Sequence, residues 1–325
     1  MDFILLLAGL ALIIKSAEIL IDSTSKIARK YGVSTFVIGI TVVAFGTSAP
    51  EFVVGLMSAI NGTNQLSLGN IVGSSYANTA LIMGICATLL PLTVKDTVIK
   101  REIPMLILTQ AVLTVMVLWD GVLSRFEGII LLLGFAGFIA YVIINSKKPM
   151  PVSIDPEGDM DTDGDGNMVT EAKESSMLKL WIFSAVSLAG LFVGGKLAVD
   201  SSTKIAANFG LSETIIGITV VAIATTLPEM ITSIMAIRKK EPDIVIGNCV
   251  GSNLFNILLV LGLSSSVNPI SVQGNMTLDL LLMVLLTAAV FVVTLIKKRV
   301  SRPAGIILIT SYIAYLSFKV VFMLV

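Results

Sequence analysis

A glutamate follows a proline at two places in this chain where the surrounding sequence is strongly apolar. Glu51 ends the stretch that begins at Gly39, and Glu229 ends the stretch that begins at Gly217. The second stretch lies 178 residues after the first and carries the same residue at nine of thirteen positions. Carboxylates within apolar membrane segments are costly and usually mark an ion or substrate path. Two of them in equivalent positions predict one shared binding site.

Both motifs place a hydroxyl residue three positions before the glutamate. Ser48 and Thr226 fit the N-cap of a capping box, with proline in the first turn and glutamate at the third position. The pattern predicts a helix N-terminus inside each apolar segment, preceded by a short unwound link. Non-helical backbone at membrane depth is tolerated where it lines a cavity, and its carbonyl oxygens can bind cations. A neutral glutamine would cap equally well, so capping alone does not account for the two charges.

A second pair of motifs recurs at the same offset, from Gly69 to Asn78 and from Gly247 to Asn256. Each places three polar side chains at spacings of four, which is one stripe on a helix. The stripes are Asn70, Ser74 and Asn78 in the first copy and Asn248, Ser252 and Asn256 in the second. Such residues also join helices by hydrogen bonds, and Gly-x-x-x-Gly pairs within these motifs favour close helix packing. The duplication beside the glutamates favours ligand roles for the serines and for Asn78 and Asn256, and a role for Asn70 and Asn248 in pinning the unwound links.

The donor set defined by these motifs consists of oxygen atoms. Carboxylates, hydroxyls and backbone carbonyls are the ligands that hard cations prefer. Two carboxylates balance the charge of one Ca²⁺ or two Na⁺. The sequence therefore predicts a site for a transported cation.

The composition is that of an integral membrane protein. Of 325 residues, 55% are hydrophobic and only 14% are charged, and the mean hydropathy is +0.95. The net charge of zero argues against a nucleic-acid partner, and the lack of histidine removes the commonest general base and zinc ligand. Cys86 and Cys249 lie in apolar runs and are interpreted as buried thiols. The first apolar segment lacks a basic n-region and is predicted to be a retained helix in contact with membrane lipid.

Ten apolar runs are long enough to cross a bilayer as helices. They are predicted at 3–21, 35–60, 66–90, 103–119, 127–145, 178–198, 213–237, 243–265, 276–296 and 304–324. The predicted fold is all-α, with a first five-helix repeat over 1–145, a polar linker over 146–176 and a second five-helix repeat over 177–325. An odd number of spans inverts the second repeat relative to the first, as in transporters whose site lies between repeats.

Loop charges give the predicted orientation. Lys and Arg are concentrated in the loops after odd-numbered spans, whereas the loops after even-numbered spans contain only Arg125 and Lys204. The positive-inside rule then places the odd loops and the 146–176 linker in the cytoplasm and both termini outside. The expected location is the plasma (inner) membrane.

At these residues the chain resembles the calcium/cation antiporter superfamily, and most of all its prokaryotic sodium/calcium exchanger-type members. The resemblance lies in Gly46 to Glu51 with Gly69 to Asn78, and in Ala224 to Glu229 with Gly247 to Asn256. It implies a ten-helix inverted repeat that exchanges Na⁺ for Ca²⁺ by alternating access, without a cofactor. It also implies central ligands at Glu51 and Glu229, with further oxygens from Thr47, Ser48, Thr225, Thr226, Ser74, Asn78, Ser252 and Asn256. Amide side chains at both 78 and 256 disfavour K⁺ cotransport.

The linker contains an acidic cluster of a different kind. Asp161, Asp163 and Asp165, followed by Gly166, match the first half of an EF-hand calcium loop, but Ala172 replaces the glutamate expected at its end. Two interpretations stay open, a solvated acidic linker and a weak regulatory Ca²⁺ site in the cytoplasm.

Three other functions are considered for the chain as a whole. The same scaffold could exchange H⁺ for Ca²⁺ or another divalent cation, with protons on the two glutamates in place of Na⁺. Broken helices also suit a passive cation channel, although channels usually build their filter around a symmetry axis. The chain has no histidine and no Gly-x-Ser-x-Gly elbow, so it is not predicted to be an enzyme.

Overall fold

A computed structural model describes residues 1–61, 65–146, 176–208, 222–272 and 276–324. Almost all of this part is helical. The α-helices are α1 Asp2–Tyr31, α2 Thr35–Ile38, α3 Ala44–Thr47, α4 Ala49–Asn61, α5 Gln65–Tyr76, α6 Met83–Leu89, α7 Ile103–Asp120, α8 Arg125–Ser146, α9 Met177–Asn208, α10 Ala222–Thr225, α11 Leu227–Arg238, α12 Pro242–Phe255, α13 Gly262–Val267, α14 Thr277–Lys297 and α15 Arg302–Leu324. Four π-helical segments, numbered in the same way, are π1 Gly39–Val43, π2 Ala77–Ile82, π3 Val98–Glu102 and π4 Asn256–Leu261.

The helices are long and apolar enough for a membrane protein. Seven helices in the described part could each cross a bilayer, and the bent pair Thr35–Thr47 and Ala49–Asn61 gives an eighth if it is counted as one span. The prediction of an all-helical integral membrane protein is confirmed at this level. The first nine residues of the predicted span at 213–237 lie in the undescribed range 209–221. The linker, with Asp161, Asp163 and Asp165, lies outside the described residues.

The first helix of each half extends about ten residues beyond the predicted span. Ser23 and Thr24 on α1 are buried, and their hydroxyls donate hydrogen bonds to backbone carbonyls one turn earlier, with Thr24 Oγ1 2.6 Å from Leu20 O. Such bonds satisfy a polar side chain inside a helix. Ser23 Oγ also lies 2.9 Å from Ser184 Oγ on α9, which joins the two long helices. Hydropathy alone ended these spans too early because it counts such satisfied hydroxyls as polar.

The second apolar segment is broken at the predicted place. The helical run from Thr35 to Thr47 meets α4 at an angle of 47°, and Ser48, between them, has φ −79° and ψ 7°. Thr226, at the equivalent point before α11, has nearly the same backbone angles, φ −81° and ψ −5°. The predicted unwound link is thus a single residue in each copy, and the helix resumes at once with proline in its first turn.

Two short ladders join the halves of the chain. Strand β1 (Leu92–Thr93) pairs antiparallel with β4 (Arg299–Val300), and β2 (Val122–Leu123) pairs antiparallel with β3 (Ile270–Ser271). Adding the repeat offset of 178 residues to β1 gives β3, and adding it to β2 gives 300–301, which is one residue beyond β4. Strand β1 therefore pairs with the equivalent of β2, and β2 pairs with the equivalent of β1.

Charged and polar loop contacts collect at two ends of the helices. Loops after odd-numbered spans contact one another, as in the ion pairs of Arg29 with Glu241 (3.7 Å) and Lys95 with Asp243 (2.5 Å). Loops after even-numbered spans also meet, since Arg125 donates a hydrogen bond to the carbonyl of Val267 (3.4 Å). The grouping agrees with the alternation that the loop charges predict.

A buried ion pair that the sequence patterns did not indicate joins the last two helices. Asp279 on α14 is 2% exposed, and its Oδ2 lies 2.6 Å from Lys319 Nζ on α15. The hydroxyl of Tyr315 donates a 3.0 Å hydrogen bond to the other carboxylate oxygen. A buried carboxylate with both oxygens bonded avoids the large cost of an unpaired charge.

Glycines on α12 allow a close crossing of helices. A Cβ atom on Gly247 would lie 2.6 Å from the carbonyl oxygen of Phe36, and one on Gly251 would lie 2.7 Å from the carbonyl oxygen of Ile40. The Gly-x-x-x-Gly prediction is confirmed for this pair. For Gly69 and Gly73, the equivalent partner segment falls in the undescribed range 209–221.

We expect Gly251→Ala to lower the thermal unfolding temperature in detergent, because the backbone of Ile40 cannot move aside easily. Overpacking of this kind costs about 1–3 kcal/mol. The matched control is Gly137→Ala, since a Cβ on Gly137 of α8 meets nothing within 4 Å. The control should unfold at or above the wild-type temperature because alanine favours a helix. Equal unfolding temperatures for the two variants would contradict the close packing of α12.

Candidate cation site

The two glutamates lie in the first turns of the helices that follow the breaks. Glu51 is on α4 and is 0% exposed, and Glu229 is on α11 and is 1% exposed. The N-terminus of a helix carries a partial positive charge that favours a carboxylate. Ser48, the residue just before α4, donates a hydrogen bond to Glu229 Oε1, which brings the break before Glu51 next to Glu229. The sequence prediction that both belong to one place in the fold agrees with this arrangement.

The hydroxyl groups before the prolines contact the opposite half. Ser48 Oγ donates a 3.1 Å hydrogen bond to Glu229 Oε1, and Thr226 Oγ1 lies 3.5 Å from Ser74 Oγ on α5. Thr226 makes no side-chain cap bond to its own helix. The capping-box prediction is therefore wrong for Thr226, because its hydroxyl lies toward the other repeat. The prediction of a helix start at this point is correct.

Each break leaves one backbone carbonyl without its usual partner. The carbonyl of Gly46 would accept from the N–H of residue 50, and that of Ala224 from the N–H of residue 228. Both of these residues are prolines and have no N–H. Two carbonyl oxygens are thereby released from helical bonding beside the glutamates, as the sequence predicted.

The first asparagine of each partner motif holds the threonine of the opposite motif. Thr47 Oγ1 donates to Asn248 Oδ1 (3.1 Å), and Thr225 Oγ1 donates to Asn70 Oδ1 (3.3 Å). All four side chains are buried. The two bonds are equivalent under the repeat and cross between the halves. They agree with the pinning role predicted for the asparagines. They use the hydroxyl hydrogen of each threonine and leave the lone pairs of the hydroxyl oxygen, as well as the backbone carbonyl oxygen, as atoms that could bind a cation.

The remaining predicted residues of the partner motifs are also buried. Ser74, Asn78, Ser252 and Asn256 are each at most 1% exposed. Asn78 Oδ1 and both amide atoms of Asn256 have no hydrogen-bond partner among the described residues. Polar groups buried in this way normally find a partner, so each such atom needs an explanation. A cation bound nearby would be a partner for the amide oxygens of Asn78 and Asn256.

A π-helical segment begins at or next to each of these asparagines. Segment π2 starts at Ala77, and π4 starts at Asn256, one residue later than strict equivalence. Single π-helical turns inside α-helices are rare and are frequent at functional sites. The wider turn changes the direction in which the asparagine side chain leaves the helix, a feature that the spacing of four in the sequence does not reveal.

Three further buried residues belong to the same polar network. Asn253 accepts from Asn78 Nδ2 (3.0 Å) and donates to Thr79 Oγ1 (3.2 Å), while Ser233 accepts from Asn248 Nδ2 (3.1 Å). The positions equivalent to these three hold different residues, so a search for duplicated motifs could not find them. The equivalents are Ser75 for Asn253, Ile257 for Thr79 and Gly55 for Ser233.

The long helix α9 contacts both breaks at a position without a side chain. A Cβ atom on Gly195 would lie 3.0 Å from Pro50 Cγ and 3.3 Å from Pro228 Cγ. Glycine at this position lets α9 approach both broken helices together. The two prolines, and with them the two glutamates one residue further on, are thus held against one helix.

The electrostatic character of the cluster follows from its unpaired atoms. Neither carboxylate oxygen of Glu51 has a hydrogen-bond partner among the described residues, and Glu229 Oε2 is also unpaired. In the described part, no three histidine, cysteine or acidic side chains lie together as a metal cluster. The donors are instead two carboxylates with hydroxyl, amide and carbonyl oxygens. That set suits a hard cation held with partial dehydration.

The broken helices, the buried acids and the apolar spans define a polytopic helical membrane protein with an oxygen-lined polar centre. A profile of the family described as sodium/calcium exchanger protein matches residues 1–144 and 179–321. The chain belongs to this family. The match places it among secondary transporters rather than enzymes, and the resemblance predicted from the repeated motifs is confirmed.

Individual relatives are similar over most of their length. The sodium/calcium exchanger MaX1 of Methanosarcina acetivorans is 32% identical over 97% of this chain and 97% of its own. The inner membrane protein YrbG of Escherichia coli is 35% identical over 82% of this chain and 79% of its own. A structure of the sodium-calcium exchanger NCX_Mj, soaked with Na⁺ and Sr²⁺, superimposes with a TM-score of 0.81 at 26% identity and covers 97% of both chains.

We expect Thr47→Val to lower the stability of the folded protein by about 1–3 kcal/mol, because it removes the donor to Asn248 and leaves a buried acceptor short of a bond. The matched control is Thr310→Val on α15, an exposed position whose hydroxyl bonds only to Ile306 O of its own helix (2.9 Å). Thermal unfolding of both purified variants gives the comparison. A Thr47→Val protein as stable as the control would argue against the pinning role of Asn248.

Proposed function

We propose that this chain exchanges Na⁺ for Ca²⁺ by alternating access at one site between its two halves. The observation that carries the proposal is the buried pair Glu51 and Glu229, with both oxygens of the first and one of the second unpaired. Two ionised carboxylates buried in one polar cluster would repel each other strongly without a counter-charge. One Ca²⁺ or two Na⁺ neutralise the pair, so the two ions would compete for the same oxygens.

The proposed ligand set follows the broken helices and their partner motifs. Glu51 and Glu229 are the central ligands, and the flanking oxygens come from Thr47, Ser48, Thr225, Thr226, Ser74, Asn78, Ser252 and Asn256. The contacts of Ser48 with Glu229 and of Thr226 with Ser74 support a single cluster made from both halves. The hydroxyls can turn to face either a cation or a neighbouring acceptor, which would let the site change between ions of different charge.

The proposed architecture is a ten-helix inverted repeat with units 1–145 and 177–325. Strand β1 lies before α7 and β2 lies after it, so the two ends of this spanning helix carry them to opposite ends of the protein. Strand β3, the equivalent of β1, pairs with β2, and β4, the equivalent of β2, pairs with β1. Each strand of the second half therefore lies at the end of the protein opposite to its equivalent in the first half. This exchange supports an inversion of the second half relative to the first.

The proposed orientation has both termini outside and the 146–176 linker in the cytoplasm of a plasma (inner) membrane. The positive-inside distribution supports it, as does the meeting of odd-numbered loops with one another in the ion pairs of Arg29 and Lys95. In the proposed exchange, Na⁺ that moves inward down its gradient drives Ca²⁺ out of the cytoplasm. A regulatory Ca²⁺ site at Asp161, Asp163 and Asp165 stays a prediction of the sequence.

Uptake of ⁴⁵Ca²⁺ into proteoliposomes tests the function. Vesicles loaded with Na⁺ should accumulate Ca²⁺, whereas vesicles loaded with K⁺ should not. Glu51→Gln should reduce Na⁺-dependent uptake at least about tenfold, because loss of one charge leaves Ca²⁺ half-balanced in a low-dielectric site. Glu18→Gln is the matched control, since Glu18 pairs with Lys15 (2.8 Å) away from the site and should transport normally.

Other loading conditions separate the alternatives. Uptake that follows an acid-inside gradient and needs no Na⁺ would replace the proposal with H⁺/Ca²⁺ exchange. Flux that needs no counter-ion and rises linearly with the Ca²⁺ gradient would replace it with a passive channel. Equal activity of Glu51→Gln and wild type would remove the central ligand from the proposal.

Labelling of single cysteines tests the orientation. Asp120 and Lys297 are exposed and follow the fourth and ninth spans, which are predicted to end outside and inside, respectively. A membrane-impermeant maleimide added to intact cells should label Asp120→Cys but not Lys297→Cys. The native Cys86 and Cys249 are at most 2% exposed and should give little background. The reverse labelling pattern would invert the proposed topology.

A further inference from the structure

Asn253 links the second half of the chain to the asparagine of the first partner motif. Its Oδ1 accepts a 3.0 Å hydrogen bond from Asn78 Nδ2, and its own Nδ2 donates a 3.2 Å hydrogen bond to Thr79 Oγ1. All three side chains are at most 3% exposed. The chain of bonds runs in one direction, from the Asn78 amide nitrogen through Asn253 to the Thr79 hydroxyl.

This direction decides which end of the Asn78 amide remains available. The amide nitrogen is held by Asn253, so the carbonyl oxygen Oδ1 is the free end, and it is buried without a hydrogen-bond partner in the described part of the chain. Ser74, one turn earlier on the same stripe, lies beside Thr226 Oγ1 (3.5 Å). A free amide oxygen on this stripe is a suitable cation ligand, whereas a free N–H₂ group would oppose a cation.

The equivalent arrangement is missing in the other half. The position that corresponds to Asn253 is Ser75, whose hydroxyl has no hydrogen-bond partner among the described residues. Asn256, the equivalent of Asn78, has neither amide atom bonded within the same described ranges. One of the two asparagines is thus fixed in orientation, and the other is free to turn its amide.

We propose that Asn253 is a positioning residue that holds the Asn78 amide with its oxygen toward the transported cation. The proposal rests on the cation site proposed above and adds an asymmetry to it, because one amide ligand is preset and its counterpart adapts. Residues that orient a metal ligand typically change metal affinity by about 10–100-fold when they are replaced. Asn253 affects Ca²⁺ binding through Asn78 and does not itself contact the ion.

The test measures the Ca²⁺ concentration that gives half-maximal Na⁺-dependent ⁴⁵Ca²⁺ uptake. Asn253→Leu has a similar size but cannot hold the Asn78 amide, and it should raise this concentration about tenfold or more, with a smaller change in maximal rate. Asn253→Asp retains an oxygen that accepts from Asn78 Nδ2, so it should remain within about threefold of wild type, well short of the tenfold change in ligand affinity expected for the leucine variant. A purely structural role for Asn253 would lower the amount of folded protein and the maximal rate, and would leave the half-saturating Ca²⁺ concentration of the folded protein unchanged.

Two more variants complete the experiment. Ser75→Ala, at the equivalent position of the other half, is the matched control and should leave the half-saturating concentration unchanged. Thr79→Val removes the hydroxyl that accepts from Asn253 and should raise the concentration less than Asn253→Leu does. If Asn253→Leu does not fold, as judged by gel filtration in detergent, Thr79→Val and Asn253→Asp decide the question.

The outcomes separate this inference from the function on which it rests. Wild-type half-saturation in either Asn253→Leu or Thr79→Val overturns the inference, as does an Asn253→Asp variant as weak as Asn253→Leu. If one of these outcomes is found while wild type transports and Glu51→Gln does not, the positioning role has failed and the proposed function stands. If wild type shows no Na⁺-dependent uptake, the proposed function itself has failed.

Discussion

The mutual repulsion of two buried carboxylates is the constraint around which this structure is arranged. Glu51 and Glu229 are almost fully buried, and three of their four oxygens have no hydrogen-bond partner in the described part of the chain. Two like charges inside a protein raise its free energy unless hydrogen bonds, helix dipoles or cations offset them. The helix N-termini behind both glutamates supply part of this compensation. The rest has to come from bound cations or from protonation. In the proposed function it comes from Ca²⁺ and Na⁺, which favours the exchange of one ion for another over release without replacement.

The rest of the polar centre maintains that condition. Hydrogen bonds from Thr47 to Asn248 and from Thr225 to Asn70 fix the broken helices without using the carboxylates. Glycine at 195 lets α9 contact both prolines, so one helix packs against both breaks. Among the described residues, both oxygens of Glu51, Glu229 Oε2 and the amide oxygens of Asn78 and Asn256 have no hydrogen-bond partner. Buried polar groups normally find a partner, and in the proposed function a cation supplies it for these oxygens.

The sequence located the buried glutamates and the helix breaks better than it located the details of the helices. Glu51 and Glu229 could be found because a charge in an apolar segment is costly and because the same costly choice occurs twice. The breaks could be placed because proline lacks an N–H, which is a local covalent property. The π-helical turns at Ala77 and Asn256 and the long ends of α1 and α9 depend on tertiary packing and could not be predicted from local spacing. Asn253, Thr79 and the Asp279–Lys319 pair are not duplicated between the two halves, and only the folded chain brings them to their partners.

The swapped ladders of β1 with β4 and β2 with β3 have a consequence for the history of the chain. In a two-fold dimer of identical subunits, a contact between residues i and j appears a second time with the subunits exchanged. The bonds of Thr47 with Asn248 and of Thr225 with Asn70 obey this rule, and the two ladders follow it with a difference of one residue in register. Each half therefore carries both complementary faces of one self-matching interface. Under the proposed inversion, two copies of one half inserted in opposite orientations would therefore present matching contacts to each other, and Asn253, whose equivalent is Ser75, is a position at which the two halves of this chain differ.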